Sequence, residues 1–321
     1  MKYLVSFLLV FCLFSCQQES QVEQDIEKIE VDFTVERFDK AFGNATPDEL
    51  PKLKAAFPFM FPKQYPDEFW EARMQDTLQQ QLMTESSQIF DDFSQEKDDI
   101  TRLFKHVKYY FPEFRIPRVI TATSSVDYRN KVIVTDTLVL ISIDTYLGKD
   151  HKFYDGISTY LKANFERNQM VVDLAAAYAE KQAYQTARKT LLDEMIYYGK
   201  QLYFKDMMIP FVSDADKIGY TETQLEWAVE NEWFIWNYFI GEELLYDTNA
   251  KLPSRFINPA PFSKFYLEQV DNESPGRVGQ FIGWQIVKSY MANNDVTIKS
   301  MLTAEPLEIF NNSKYKPKDN G

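Results

Sequence analysis

Only one stretch of the chain, residues 115–148 (RIPRVITATSSVDYRNKVIVTDTLVLISIDTYLG), is rich in β-branched residues, and this limits the size of any sheet the protein can form. Tyr128-Arg129-Asn130 and Asp136 place turn residues inside it, so the run divides into two or three strands. The flanking sequence has a helical texture. Residues 68–93 and 94–111 read as two helices, the second with Ile100, Leu103, Phe104 and Val107 on one face. Beyond His151 the pattern is helical almost to the end, in blocks near 156–164, 168–182, 184–204, 222–245, 260–270 and 275–292. The expected fold class is α+β, predominantly helical, with a small mixed β-sheet.

Ahead of the sheet, residues 29–42 begin with strand-like alternation and end as a short amphipathic helix. Pro47, Pro51, Pro58, Pro62 and Pro66 then cut the chain into short turns, because each proline disfavours helix at the residue before it. The aromatic segment FPFMFP, residues 57–62, is expected to lie on the body of the domain or to face a partner. No Gly/Ser/Pro-rich linker follows residue 30, so residues 31–321 read as a single domain.

The amino terminus is of a different kind. Lys2 precedes an apolar run, residues 3–14, that is too short for a mature membrane span and reads as an export signal. Leu13-Phe14-Ser15-Cys16 resembles a lipobox. Residues 1–15 are then a cleaved lipoprotein signal peptide, Cys16 is the acylation site, and residues 16–30, rich in Gln and Glu, form a solvated tether. Several acyl chains on one cysteine anchor stably, since burial contributes about 0.8 kcal/mol per methylene. Cys12 would leave with the signal and Cys16 is consumed by lipid, which excludes disulfide frameworks, cysteine nucleophiles and thiolate metal sites. With 35 basic against 48 acidic residues and a net charge of −13, nucleic acid and anionic headgroups are poor partners.

Within the helical half, LLDEMIYYGKQLYF, residues 191–204, sets Asp193 beside Glu194 one turn before Tyr197 and Tyr198. On a helix Asp193, Tyr197 and Lys200 share one stripe, and Leu191, Met195, Tyr198 and Leu202 another. A carboxylate among aromatic rings is a candidate for a raised pKa and for acid or base work. The zincin helix H-E-x-x-H places two histidines one turn apart around a glutamate that activates water. Here those five places read Asp193-Glu194-Met195-Ile196-Tyr197, with the glutamate kept and both histidines gone. A carboxylate and a phenol make a poor zinc set, and neither His106 nor His151 belongs to an H-x-x-x-H pair. The apolar strand TLVLISID is expected to serve as the substrate-side edge of the sheet. A following helix, opened by a Thr221 to Gln224 capping box, carries Glu226 and Glu230 one turn apart. Gly276, Gly279 and Gly283, spaced by three and four, would let another helix approach closely.

In this order, the lipobox, YLGKDHKFY, DEMIYYGKQLYFKDMMIP, ENEWFIW and SPGRVGQFIGWQIVKSY resemble the gliding motility lipoprotein family GldB of Bacteroidota over nearly the whole chain. The resemblance implies a cell-envelope lipoprotein, anchored by its lipid and facing the periplasm, that is required for gliding, where surface adhesins are moved and a dedicated secretion machinery operates. It implies partners among the envelope proteins of that apparatus, and it leaves open which membrane holds the lipid. It also implies a zincin-like, gluzincin-type outline whose metal-binding histidines are absent, in which Glu230 takes a place comparable to that of the third ligand. It assigns no catalytic residues.

The candidate cleft is therefore Asp193, Glu194, Tyr197, Tyr198, Lys200 and Glu230, with Glu226, Arg277 and His151 as further candidates; no metal ligands and no cofactor are expected. Asp193 is expected to bond Tyr197 or pair with Lys200. Three functional readings follow. The first is a catalytically inactive metalloprotease-like domain that binds a protein or peptide in its old cleft. The second is an active peptidase or cell-wall hydrolase using Glu194 with unusual ligands. The third is a structural module that docks through the segment from Phe57 to Phe61. Two other clusters read as structural: Ser213-Asp214-Ala215-Asp216 as a turn before a helix rather than a calcium loop, and Trp227, Trp233, Trp236 and Trp284 as packing rather than a sugar platform.

Overall fold

The computed structural model describes residues 21–187 and 189–319, so the export signal, Cys16 and the first tether residues lie outside the described residues. The chain enters through α1 (Gln21–Glu27), β1 (Val35–Arg37) and α2 (Phe38–Gly43). The proline-rich stretch becomes α3 (Leu50–Ala56), α4 (Asp67–Gln75) and α5 (Thr77–Ile89), followed by the long α6 (Ser94–Tyr110). The β-branched run delivers β2 (Arg118–Ala122), β3 (Val132–Val134) and β4 (Leu138–Ser142). Next come α7 (Thr159–Lys162), α8 (Gln169–Gln182), α9 (Leu191–Met208), α10 (Asp214–Ile218), α11 (Glu222–Glu230) and α12 (Glu232–Gly241). The last segments are α13 (Leu252–Phe256), α14 (Glu268–Glu273), α15 (Val278–Asn293), α16 (Ile298–Thr303) and α17 (Pro306–Ser313).

Among the described residues the strands form one four-stranded sheet in the order β1-β2-β4-β3. β1 and β4 run parallel to β2, and β3 runs antiparallel to β4. The TLVLISID strand is thus internal, paired on both sides, and the edge expected of it belongs to β3. Side chains alternate across the sheet. Val119, Val139 and Ile141 enter the large helical core, whereas Ile120, Ala122, Leu138 and Leu140 meet a second cluster built from Phe38, Phe42 and Phe61. The proline-aromatic segment therefore covers the far face of the sheet. Phe61 is buried there, Phe57 is partly buried, and Phe59 remains 40% exposed with the Arg118 guanidinium 5.3 Å from its ring. Arg37 locks β1 in place by donating through Nε and Nη2 to the two oxygens of buried Asp39, at 2.9 and 2.7 Å.

Several element boundaries differ from the sequence expectation, each for a local reason. The helix expected over 68–93 is split at Asp76, whose carboxylate accepts from Gln79 N at 2.7 Å and caps α5. The block at 222–245 breaks at Asn231, which leaves helical geometry at φ −99°, ψ 9°. Residues 260–267 carry no helix before α14, and the chain adds α16 and α17 after the last expected block. Within the expected solvated tether, residues 21–27 are helical. Ile26 is fully buried, α1 lies against α6, and Glu27 pairs with Lys105 at 2.8 Å.

Candidate functional site

The two adjacent carboxylates of α9 have separate environments. Asp193 is the third residue of a capping box: it accepts from Thr190 N at 2.9 Å and Thr190 Oγ1 at 2.7 Å, while Thr190 Oγ1 accepts from Asp193 N at 3.2 Å. These bonds satisfy backbone donors that every helix start leaves open. Glu194 is partly buried, and burial raises its pKa, with Lys189 opposing and Asp193 adding to the rise. The rings of Tyr197 and Tyr198 meet edge to face at 5.2 Å, and burial pushes the Tyr197 hydroxyl up to about 12.

Lys200 is fully buried without a carboxylate partner among the described residues. Its ammonium donates to three carbonyl oxygens, Tyr184 O at 3.3 Å, Leu302 O at 3.1 Å and Ala304 O at 2.6 Å. An ammonium has three donors, so this cradle saturates it. Burial still lowers its pKa to about 8, against the pull of Glu305 and Glu308. Its place is to tie α9 to the end of α16, and the expected pairing with Asp193 does not form. Another face of α9 is closed by α15. A Cβ on Gly283 would lie 1.7 Å from Met195 O, and one on Gly199 would lie 2.3 Å from Gly283 O. Of the three glycines expected to admit a helix, Gly283 alone meets the α9 backbone, whereas a Cβ on Gly279 would meet Phe256 O of α13 at 2.9 Å and one on Gly276 would meet the non-helical Ala260 O at 2.3 Å; side-chain-sized space is absent at the Gly283 contact.

The remaining candidates do not join this helix. Glu226 and Glu230 are exposed on α11, which lies against α10 and α12. Among the described residues no group of three or more His, Cys, Asp or Glu side chains is placed to hold a metal ion. His151 is a turn residue: its Nδ1 accepts from Phe153 N at 3.3 Å and its Nε2 lies 3.5 Å from Glu85. Ser213 caps α10 by accepting from Asp216 N at 3.1 Å. Trp236 and Trp284 are buried packing residues, Trp227 is partly buried, and Trp233 is 41% exposed.

Arg277 leads to a different site. It stands just before α15 with φ 64°, a left-handed conformation that costs a non-glycine residue about 1 kcal/mol. Its Nη2 donates to Gly219 O at 2.7 Å, and its guanidinium lies 5.4 Å from the Tyr220 ring centroid. It lines a cavity of about 200 Å³ shared with Lys131, Lys205, Asp173, Tyr128 and Tyr160. Lys131 is neutralised there by Asp173 at 2.9 Å. Lys205 donates to a single oxygen, Lys217 O, at 2.7 Å. Lys205 is partly buried, and its pKa is lowered to about 8, first by desolvation, with Arg277 and Lys131 adding to the fall and Asp173 and Asp206 opposing it. Among the described residues neither Lys205 nor Arg277 has a carboxylate within ion-pair distance, although the protein carries a net charge of −13. The sequence reading named Arg277 but missed Lys131, Asp173 and Lys205. A signal existed for Lys205, a lone cation in the apolar run LYFKDMMIP.

Residues 19–317 match the protein family described as Gliding motility protein GldB. The chain belongs to this family. The match reaches from near the start of the tether region through α17 and includes both the α9 capping box and Arg277. No curated protein and no solved structure gives a significant match. Membership in the GldB family makes this a gliding motility protein of lipoprotein type, associated with the cell envelope. Among the described residues no helix is long and apolar enough to cross a membrane.

Proposed function

We propose that the chain is a lipid-anchored, periplasm-facing component of the gliding apparatus that acts by binding rather than by catalysis. Cys16 is its acylation site, and its partners are envelope proteins of the gliding and secretion machinery. The observation that carries the non-catalytic reading is the use of Asp193 and Lys200 to satisfy backbone groups, by the capping box and the three-carbonyl cradle. Side chains committed in this way already have a structural task, which favours a scaffold role over a catalytic one. In this reading the zincin-like outline is a scaffold: α9 keeps the glutamate of the old motif, while α15 occupies space along the helix. The raised pKa of Glu194 is the feature that favours the hydrolase alternative.

Gliding assays on two variants test the reading. Glu194→Gln is expected to glide normally, and Cys16→Ser is expected to lose both membrane attachment and gliding. A Glu194→Gln strain that makes wild-type amounts of protein and does not glide would instead point to a working carboxylate.

A further inference from the structure

We propose that the cavity where α8, α10 and the start of α15 meet binds a compact oxyanion, the phosphate or carboxylate group of a small ligand, between Lys205 and Arg277. Partnering supports this assignment. Lys131 is balanced by Asp173, which also accepts from Tyr146 Oη at 2.9 Å. Lys217, whose backbone oxygen holds Lys205, turns its own ammonium to Asp206 at 3.1 Å and Asp214 at 3.0 Å. The one other carboxylate on the cavity wall, Asp216, accepts from Gln169 Nε2 at 3.0 Å, Asn168 Nδ2 at 3.2 Å and Ser213 Oγ at 3.0 Å. The amide and hydroxyl donors satisfy its oxygens without cancelling its charge.

Among the described residues two cations are left with one acceptor each, Lys217 O for Lys205 and Gly219 O for Arg277. An ammonium has three donors and a guanidinium five, so both keep donors for a further acceptor. Both side chains are partly buried, and desolvating cations without anions is costly, whereas charge-assisted bonds to an oxyanion are strong and fit the planar guanidinium fork. The backbone supports the same geometry, because the left-handed φ of 64° at Arg277 is an unfavourable setting for a side chain with no task. A volume of about 200 Å³ admits a phosphate or carboxylate with several attached atoms, and Tyr128 and Tyr160 supply aromatic walls for them.

The test is thermal unfolding of the full-length chain in detergent, titrated with inorganic phosphate and separately with acetate, against chloride at equal ionic strength. The Tm of the wild type is expected to rise with the logarithm of the concentration of at least one oxyanion. Arg277→Gly suits the left-handed backbone, and Lys205→Met keeps the side-chain volume. Both are expected to bind that oxyanion more than about tenfold more weakly. Should Arg277→Gly fail to fold, Lys205→Met decides alone. A wild type that responds to neither anion beyond chloride overturns the proposal, as does a wild-type response retained in Lys205→Met.

Discussion

Lys200 and Lys205 lie on the same helix, and burial holds both near a pKa of 8, yet their surroundings differ. Five residues separate them, about 140° around the helix, so they face different parts of the interior. Lys200 meets three backbone oxygens and is complete. Lys205 meets one and shares a cavity with Arg277. The comparison teaches that a buried lysine is not in itself a functional signal. What separates a structural cation from a candidate binding group is how many of its donors the fold already uses.

The largest expected effect tests the closed side of α9. Gly283→Ala puts a methyl group into the Met195 carbonyl and should destabilise the protein by about 3 kcal/mol or more in urea unfolding. If it is tolerated, the helix contact is looser than described and a cleft along α9 regains room. Lys200→Met sharpens the comparison directly. It leaves the Tyr184 and Ala304 carbonyls without a donor, while Leu302 O keeps Tyr184 N at 2.9 Å, with an expected cost of about 3 kcal/mol by the same measurement. Asp193→Ala removes the side-chain half of the capping box and should cost about 1 kcal/mol.

A smaller effect lies in the pH dependence. Both lysines are lowered from 10.5 to about 8 in the fold, so between those values the unfolded chain binds more protons than the native one. The penalty is fully present below about 8, and stability is expected to rise as pH climbs from there toward 10. Above 10.0, Tyr146 and Tyr220, both raised by burial, reverse the slope. Lys205→Met should remove about half of the rise below 10, and an unchanged profile would show that Lys205 is not the buried cation described.

Much of the fold was legible where the signal is local. Composition placed three of the four strands within residues 115–148, and of Gly276, Gly279 and Gly283 the last makes the close contact with α9 that their spacing announced. The strand at 35–37 could be read as extended, but its parallel pairing with β2 depends on partners more than 80 residues away that no local pattern names. The α5 cap at Asp76 was readable in principle, since an acceptor three residues before Gln79 is a helix-start signal that was overlooked in a helical run. The site was harder. Sequence identified Asp193 and Lys200 as unusual, and they are, but polar residues inside a helix look the same whether they serve a cap, a cradle or a ligand. Arg277 was noticed within SPGRVGQF, while the cavity that gives it meaning joins residues from β3's approach, α8, α9 and α10.

The most direct test of this account is the urea unfolding free energy of full-length Lys205→Met beside wild type and Lys200→Met, in phosphate-free buffer. A saturated cradle and an open site predict opposite outcomes: Lys200→Met strongly destabilised, and Lys205→Met as stable as wild type or more so, because a partly desolvated cation without an anion is removed. Equal destabilisation of the two variants would mean that Lys205 is a structural lysine like its neighbour, and would contradict the distinction between the two regions.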